Sequence, residues 1–389
     1  MANHISVVIP QDSRTYIHWD ADGVETVPPS EAEDIPAVVE ELRNIQRAYF
    51  DKTGRCYSGL HATTTHEVVK GTFVVPSHLP AHLRQSDLFA NEGVYPVACR
   101  YFTSEQSAPG RDHDDDDYVG RSIGGFDLKI FGVRGVKFPD GPRLPIQDLS
   151  LSSNSAAINL ADAKTARAIL DDLRSQHSDD LSEVYRALET LQLDDAAVPS
   201  SPVSSKTFNR VRPYTSRTAS RFGKYIARYR LVPTDLTKRK LEDEALKPQD
   251  DQADANSGDA GDVDALIDER LRKFHSRNDV EYELQVQLCE DLEQQPVEDI
   301  GGAGWDEEKF PFQTVAKLVI PRQQGTHDAK RLQFWDDRVR INPWNGLVLL
   351  QPLGGASRLQ RVVYPASDLM KSGLTGQKSM NVLSVTEIP

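Results

Sequence analysis

Between about residues 66 and 138 the chain breaks into short runs, VVKGTFVV, VYPVACRYF and GGFDLKIFGVRGV, in which apolar and β-branched residues alternate between glycine and proline breakers. A strand with this period-two pattern turns one apolar face out of water and can bury it only by joining a sheet. The segments 225–232, 280–288 and 312–320 repeat the pattern, so the chain is committed to a sheet or barrel drawn from two distant halves of the sequence. Helical spacing separates and follows them. After Pro28-Pro29-Ser30, Val38, Val39, Leu42, Ile45 and Tyr49 recur at three-to-four spacing. The pattern returns at 160–176, with Asn159 as its expected cap, at 179–193, and at 355–371. Strands, helices, strands, helix is the order of an α+β chain rather than of regular βαβ alternation. Its 389 residues admit two average domains or one large barrel with helical additions, and no internal repeat decides between them.

Charge narrows the partners. Fifty-nine acidic against 45 basic side chains give a net charge of −14, which opposes binding to nucleic acid or anionic lipid. No apolar run approaches the roughly 20 residues of a membrane span, so stable membrane insertion is not expected. The first residues carry no basic start followed by an apolar run, and Cys56, Cys99 and Cys289 lack disulfide or zinc spacing. Three buried thiols in a reducing compartment, the cytoplasm, are the expectation. Residues 241–262 are acidic and poor in apolar side chains, the composition of a disordered surface insertion. HDDDDY at 113–118 offers carboxylates and an imidazole, but contiguous residues do not converge on one ion without a defined turn, and a solvated acidic loop is the reading preferred. Ile123-Gly124-Gly125-Phe126 and Gly354-Gly355 lack the context of a phosphate cradle and read as turns.

Two positions remain. In GLHATTTHEVVKGTFVV, His61 and His66 stand just before a strand, and in SRLQRVVYPASDLM a tyrosine precedes a proline on a helix with basic residues upstream. Taken alone, these read as loop histidines and a tyrosine at a proline-kinked turn.

The same segments, in order, resemble the haem catalases, and more closely the shorter catalase-related branch that includes peroxidases and allene oxide synthases. The resemblance is carried by His61-Ala62 leading into Lys70-Gly71-Thr72-Phe73, by HLPAHLRQSDLF, PVACRYFTSE, IGGFDLKIFG and SRFGKYIARYRLVP, and by YELQVQL, WDEEKFPFQTVAKLVIPRQ and FWDDRVRINPWNGL with QPLGGASRLQRVVYP. It runs from about residue 55 to the end, leaving 1–54 as an N-terminal segment and helix and 55–389 as a single haem domain. It implies an antiparallel β-barrel with surrounding helices and haem b buried between barrel and helix. Tyr364 is then the proximal iron ligand, as a phenolate favoured by ferric iron. His61 is the distal histidine that moves a proton between the oxygens of a bound peroxide. Asn154 is the distal amide, or Ser153 if the register differs by one. Arg100 pairs with a haem propionate, and Arg358, Gln360 and Arg361, in the turns before the tyrosine, lie beside the cofactor.

Two departures bear on the reaction. Family members carry an arginine four residues before the tyrosine, where this chain has Gln360, with Arg361 one position later as its substitute. The family's phenylalanine pair beside the distal pocket is replaced by Ala156, Ala157 and Ile158, which opens room for a large ligand. The function implied is a haem-dependent oxidoreductase or hydroperoxide lyase or isomerase, acting on an organic hydroperoxide or secondary metabolite. The rivals are a peroxidase or weak catalase that removes hydrogen peroxide, and a haem-binding protein without catalysis. Any self-association is expected to give a homodimer.

Overall fold

The computed structural model describes residues 14–54, 56, 63–104, 124–139, 141, 143–152, 162–177, 180–190, 213–246, 260–298, 304–326 and 328–389. The strands are β1 (Thr63–Val75), β2 (Gly93–Ser104), β3 (Gly125–Phe131), β4 (Ile146–Ser152), β5 (Tyr214–Thr215), β6 (Ser220–Phe222), β7 (Tyr225–Pro233), β8 (Val280–Leu288) and β9 (Gln313–Ile320). The helices are α1 (Glu31–Thr53), α2 (Ser86–Phe89), α3 (Ala163–Gln176), α4 (Leu181–Thr190), α5 (Asp235–Leu246), α6 (Ala260–Arg277), α7 (Ala329–Arg338) and α8 (Gly355–Thr375).

All pairings are antiparallel, in the order β5-β4-β3-β2-β1-β9-β8-β7-β6, and β5 also pairs with β7 through Tyr214↔Leu231 and Thr215↔Arg230. That second pairing closes eight strands into a barrel, with β6 outside it as a hairpin extension of β7. This is the α+β barrel with surrounding helices that the sequence resemblance implied. Barrels of this size are filled by their own inward side chains. Here Phe73, Cys99, Tyr101, Phe126, Leu128, Leu284 and Leu318 are among the fully buried members of one core cluster. Ile267, Leu271 and Phe274 of α6, spaced four and three apart, join the same cluster and pack α6 against the barrel core.

A second core holds the helices. Val38, Leu42 and Ile45 of α1, Ala166 and Leu170 of α3, Val184 and Leu188 of α4, and Leu359 and Val363 of α8 bury one another. Leu359 and Val363, four apart, give α8 one apolar face, so its other face is available to the barrel side.

Several local expectations are corrected. The cap of α3 is Asp162, whose side chain accepts from Thr165 N at 2.8 Å, and Asn159 lies outside the described residues. The ends of the 241–262 stretch are helical: α5 runs to Leu246, with Leu241 packed on the barrel core and Glu244 bonded to Arg277 at 2.9 Å, and α6 begins at Ala260. Gly125 opens a strand rather than a turn. A Cβ there would meet the Phe102 ring at 2.0 Å, so the close approach of the two strands requires glycine. Cys99 and Cys289 are buried, whereas Cys56 is only half-buried. HDDDDY at 113–118 lies outside the described residues. Among the described residues, no helix is long and apolar enough to cross a membrane.

Candidate active site

Because side chains alternate along a strand, the outer wall of β2–β4 carries what the barrel does not swallow: Arg100 and Phe102, Asp127 and Lys129, Asp148 and Ser150. Facing them are α7, the segment that follows it, and the free face of α8. Between these surfaces lies a cavity of about 710 Å³, within the roughly 300–1,000 Å³ of sites that enclose a small molecule. Arg100, Arg217, Trp335, Trp344, Gln360, Arg361 and Tyr364 are among the residues that line it.

The wall's charges come as cross-strand pairs. Arg100 and Asp127 are register partners on β2 and β3, and the guanidinium Nε and Nη2 lie 2.8 and 2.7 Å from Asp127 Oδ2. Lys129 and Asp148, register partners on β3 and β4, meet at 2.7 and 3.0 Å. Both carboxylates are fully buried; burial pushes Asp148 up, and Lys129, Asn342 and Asn345 pull it back. By accepting from Asn342 N and Asn345 Nδ2, Asp148 also anchors the loop that presents Trp344. The Trp344 indole donates to Ser357 O of α8 at 3.0 Å, and the Arg361 guanidinium lies 4.7 Å from its ring centroid and 5.5 Å from that of Phe138.

Tyr364 stands on the free face of α8, and the proline after it removes the amide that would have bonded Arg361 O. The tyrosine lines the cavity, and its hydroxyl makes no hydrogen bond among the described residues. Burial pushes the phenol above its ordinary range, while Arg217 first and Arg100 second favour the anion and Asp127 opposes it.

The residues singled out from sequence are thus placed differently from one another. Arg100, Gln360, Arg361 and Tyr364 line one cavity. Arg358, expected beside the cofactor, does not line it. Its guanidinium bonds Glu31 at 2.8 and 2.9 Å, Glu25 at 2.5 Å and Glu298 at 3.4 Å, a cluster that ties the N-terminal segment to the first turn of α8. The helical position explains this: six residues before the tyrosine is about 600° of turn, some 120° away from the cavity face. Replacing Arg358 with Met leaves three carboxylates in a largely enclosed cluster without their cation, and should lower the unfolding free energy by roughly 3 kcal/mol. A denaturation midpoint unchanged from wild type would refute that role.

His61, Ser153, Asn154 and Ala156–Ile158 lie outside the described residues. His66 is fully buried, with Nδ1 2.7 Å from Asp268 and Nε2 2.9 Å from Thr103, an imidazole satisfied by the fold. Sequence reasoning missed Arg217. Its only sequence signal, an arginine in the polar stretch before β6, is shared by many surface residues.

No family model matches the chain, and no curated protein matches it. Among solved structures it is similar to a bacterial catalase at 12% identity and a TM-score of 0.46, covering 93% of this chain and 67% of that one. A fungal catalase is similar at 12% identity and a TM-score of 0.44, with 86% and 65% covered. Catalase A from Saccharomyces cerevisiae is similar at 13% identity and a TM-score of 0.46, with 86% and 67% covered, so the chain spans about two thirds of the length of each.

Proposed function

We propose that this chain is a haem-dependent, catalase-like enzyme that takes Tyr364 as iron ligand and converts an organic hydroperoxide or secondary metabolite. The observation that carries the reading is the Tyr364 hydroxyl, without a hydrogen-bond partner, on the wall of a 710 Å³ cavity whose lining also holds Arg217 and Arg100. The residues fit the group. Phe102, Phe138, Trp335 and Trp344 offer apolar surface to a macrocycle, and Arg361 and Arg100 offer cations to its carboxylates. When bound, ferric haem with a tyrosinate ligand supplies cleavage of a peroxide O–O bond.

The protein's own part is to hold and move protons. His61 is proposed to take a proton from the near peroxide oxygen and return it to the leaving one, with the amide of Asn154 orienting the peroxide. Thr65, four residues after His61, bonds both Arg100 and Asp336 of the cavity wall. Self-association as a homodimer is part of the same proposal.

Haem titrated into purified protein tests the reading, followed by hydrogen peroxide and by an organic hydroperoxide as substrates. The expected result is stoichiometric binding, turnover of the organic hydroperoxide with little oxygen evolution, and a His61→Ala variant that keeps its haem but is slowed about 10²–10⁴-fold. Vigorous oxygen evolution without organic turnover would assign peroxide removal instead. Failure to bind haem would overturn the proposal.

A further inference from the structure

We propose that Arg217 is the residue that holds Tyr364 in its anionic, ligating form, a positioning residue whose cation comes from the barrel rather than from α8. This rests on the reading of Tyr364 as a haem ligand. A phenolate out of bulk water needs a nearby cation. Near this site are Arg358, Arg361, Arg100 and Arg217. Arg358 is enclosed by Glu25, Glu31 and Glu298. Arg361 lies over Trp344 and Phe138. Arg100 is neutralised by Asp127, whose buried carboxylate itself opposes an anion on Tyr364.

Arg217 is placed by the backbone on either side of it. Towards the barrel, Ser216 N donates to Tyr229 O at 2.8 Å, Tyr229 N donates to Ser216 Oγ at 2.9 Å, and Arg228 Nη2 donates to Arg217 O at 3.0 Å. Towards α8, Ser357 Oγ donates to Thr218 Oγ1 at 3.0 Å, and Leu353 N donates to Ala219 O at 2.9 Å. Ser357 and Tyr364 are seven residues apart, nearly two full turns, and so share a face of the helix. The segment bonded to Ser357 therefore runs along the tyrosine's side of α8. Arg217 and Tyr364 line the same cavity and act on each other electrostatically, each favouring the charged form of the other.

The experiment compares haem-loaded wild type, Tyr364→Phe, Arg217→Gln and Arg217→Lys by resonance Raman and by haem affinity. Wild type is expected to show iron-tyrosinate bands that Tyr364→Phe abolishes. Arg217→Gln should weaken those bands and reduce haem affinity at least about 10-fold, and Arg217→Lys, which keeps the charge, should restore most of both. Wild-type bands and affinity in Arg217→Gln, or equal losses in Gln and Lys, would overturn the role of Arg217 while leaving Tyr364 as ligand. Absence of tyrosinate bands in wild type itself, or their persistence in Tyr364→Phe, would overturn both.

Discussion

Tyr364→Phe is expected to give a folded protein that no longer retains haem. The substitution removes one oxygen and keeps the ring, so the packing of α8 on α1 and α3 through Leu359 and Val363 is untouched. The lost hydroxyl has no hydrogen-bond partner among the described residues, so its removal strands no donor or acceptor and should change stability by less than about 1 kcal/mol. Haem, by contrast, loses its proposed iron ligand. A loss of affinity of at least about 100-fold, or ~2.7 kcal/mol, is expected from a haem titration followed at the Soret band. Equal haem affinity in the two proteins would show that the iron is held elsewhere.

The second large effect lies in the barrel interior. Glu67, fully buried on β1, has neither carboxyl oxygen hydrogen-bonded among the described residues, and burial pushes it up to about 8. His275 of α6 has its Nε2 3.5 Å from the Glu67 carboxyl and 3.2 Å from the Tyr101 hydroxyl, and burial pushes it down to about 3. The two groups act in opposite directions. A carboxyl raised in the folded state favours folding at low pH, and that advantage is lost as pH climbs from about 4.5 towards 8. A histidine depressed in the folded state favours folding above its ordinary 6.5 and loses that advantage as pH falls towards 3. Between about 6.5 and 8 only the carboxyl changes its protonation, so stability should fall as pH rises through that window.

Glu67→Gln keeps the shape, the neutral form and the donor while abolishing the ionisation. The variant should show a flat profile from pH 6.5 to 8 and be more stable than wild type at pH 8 by a few kcal/mol. Parallel urea denaturation of the two proteins checks this. Identical pH profiles would mean that Glu67 does not ionise in the folded state over this range.

Local sequence settled what local physics controls. Period-two alternation located β1, β2, β3, β7, β8 and β9, because a strand's in-out pattern is written residue by residue. Helical spacing located α1, α3, α4 and α8, and with them the face of α8 that presents Tyr364. It did not announce α6, whose Ile267, Leu271 and Phe274 are scattered among charged residues, nor the two-residue β5, whose pairing with β7 closes the barrel. Short elements carry little pattern of their own; their order comes from the neighbours they meet.

The site divides in the same way. Arg100 and Tyr364 were legible as members of motifs, but nothing local distinguishes Arg358 from Arg361, and only the rotation of α8 turns one into the glutamate cluster and the other onto Trp344. Arg217 belongs to the site because barrel closure and the Thr218–Ser357 bond bring a strand connection alongside a helix more than a hundred residues later. The sequence by itself determined the strands, the helices and the tyrosine. Which charges surround that tyrosine was decided by tertiary structure, because electrostatic influence follows distance in space and not separation along the chain.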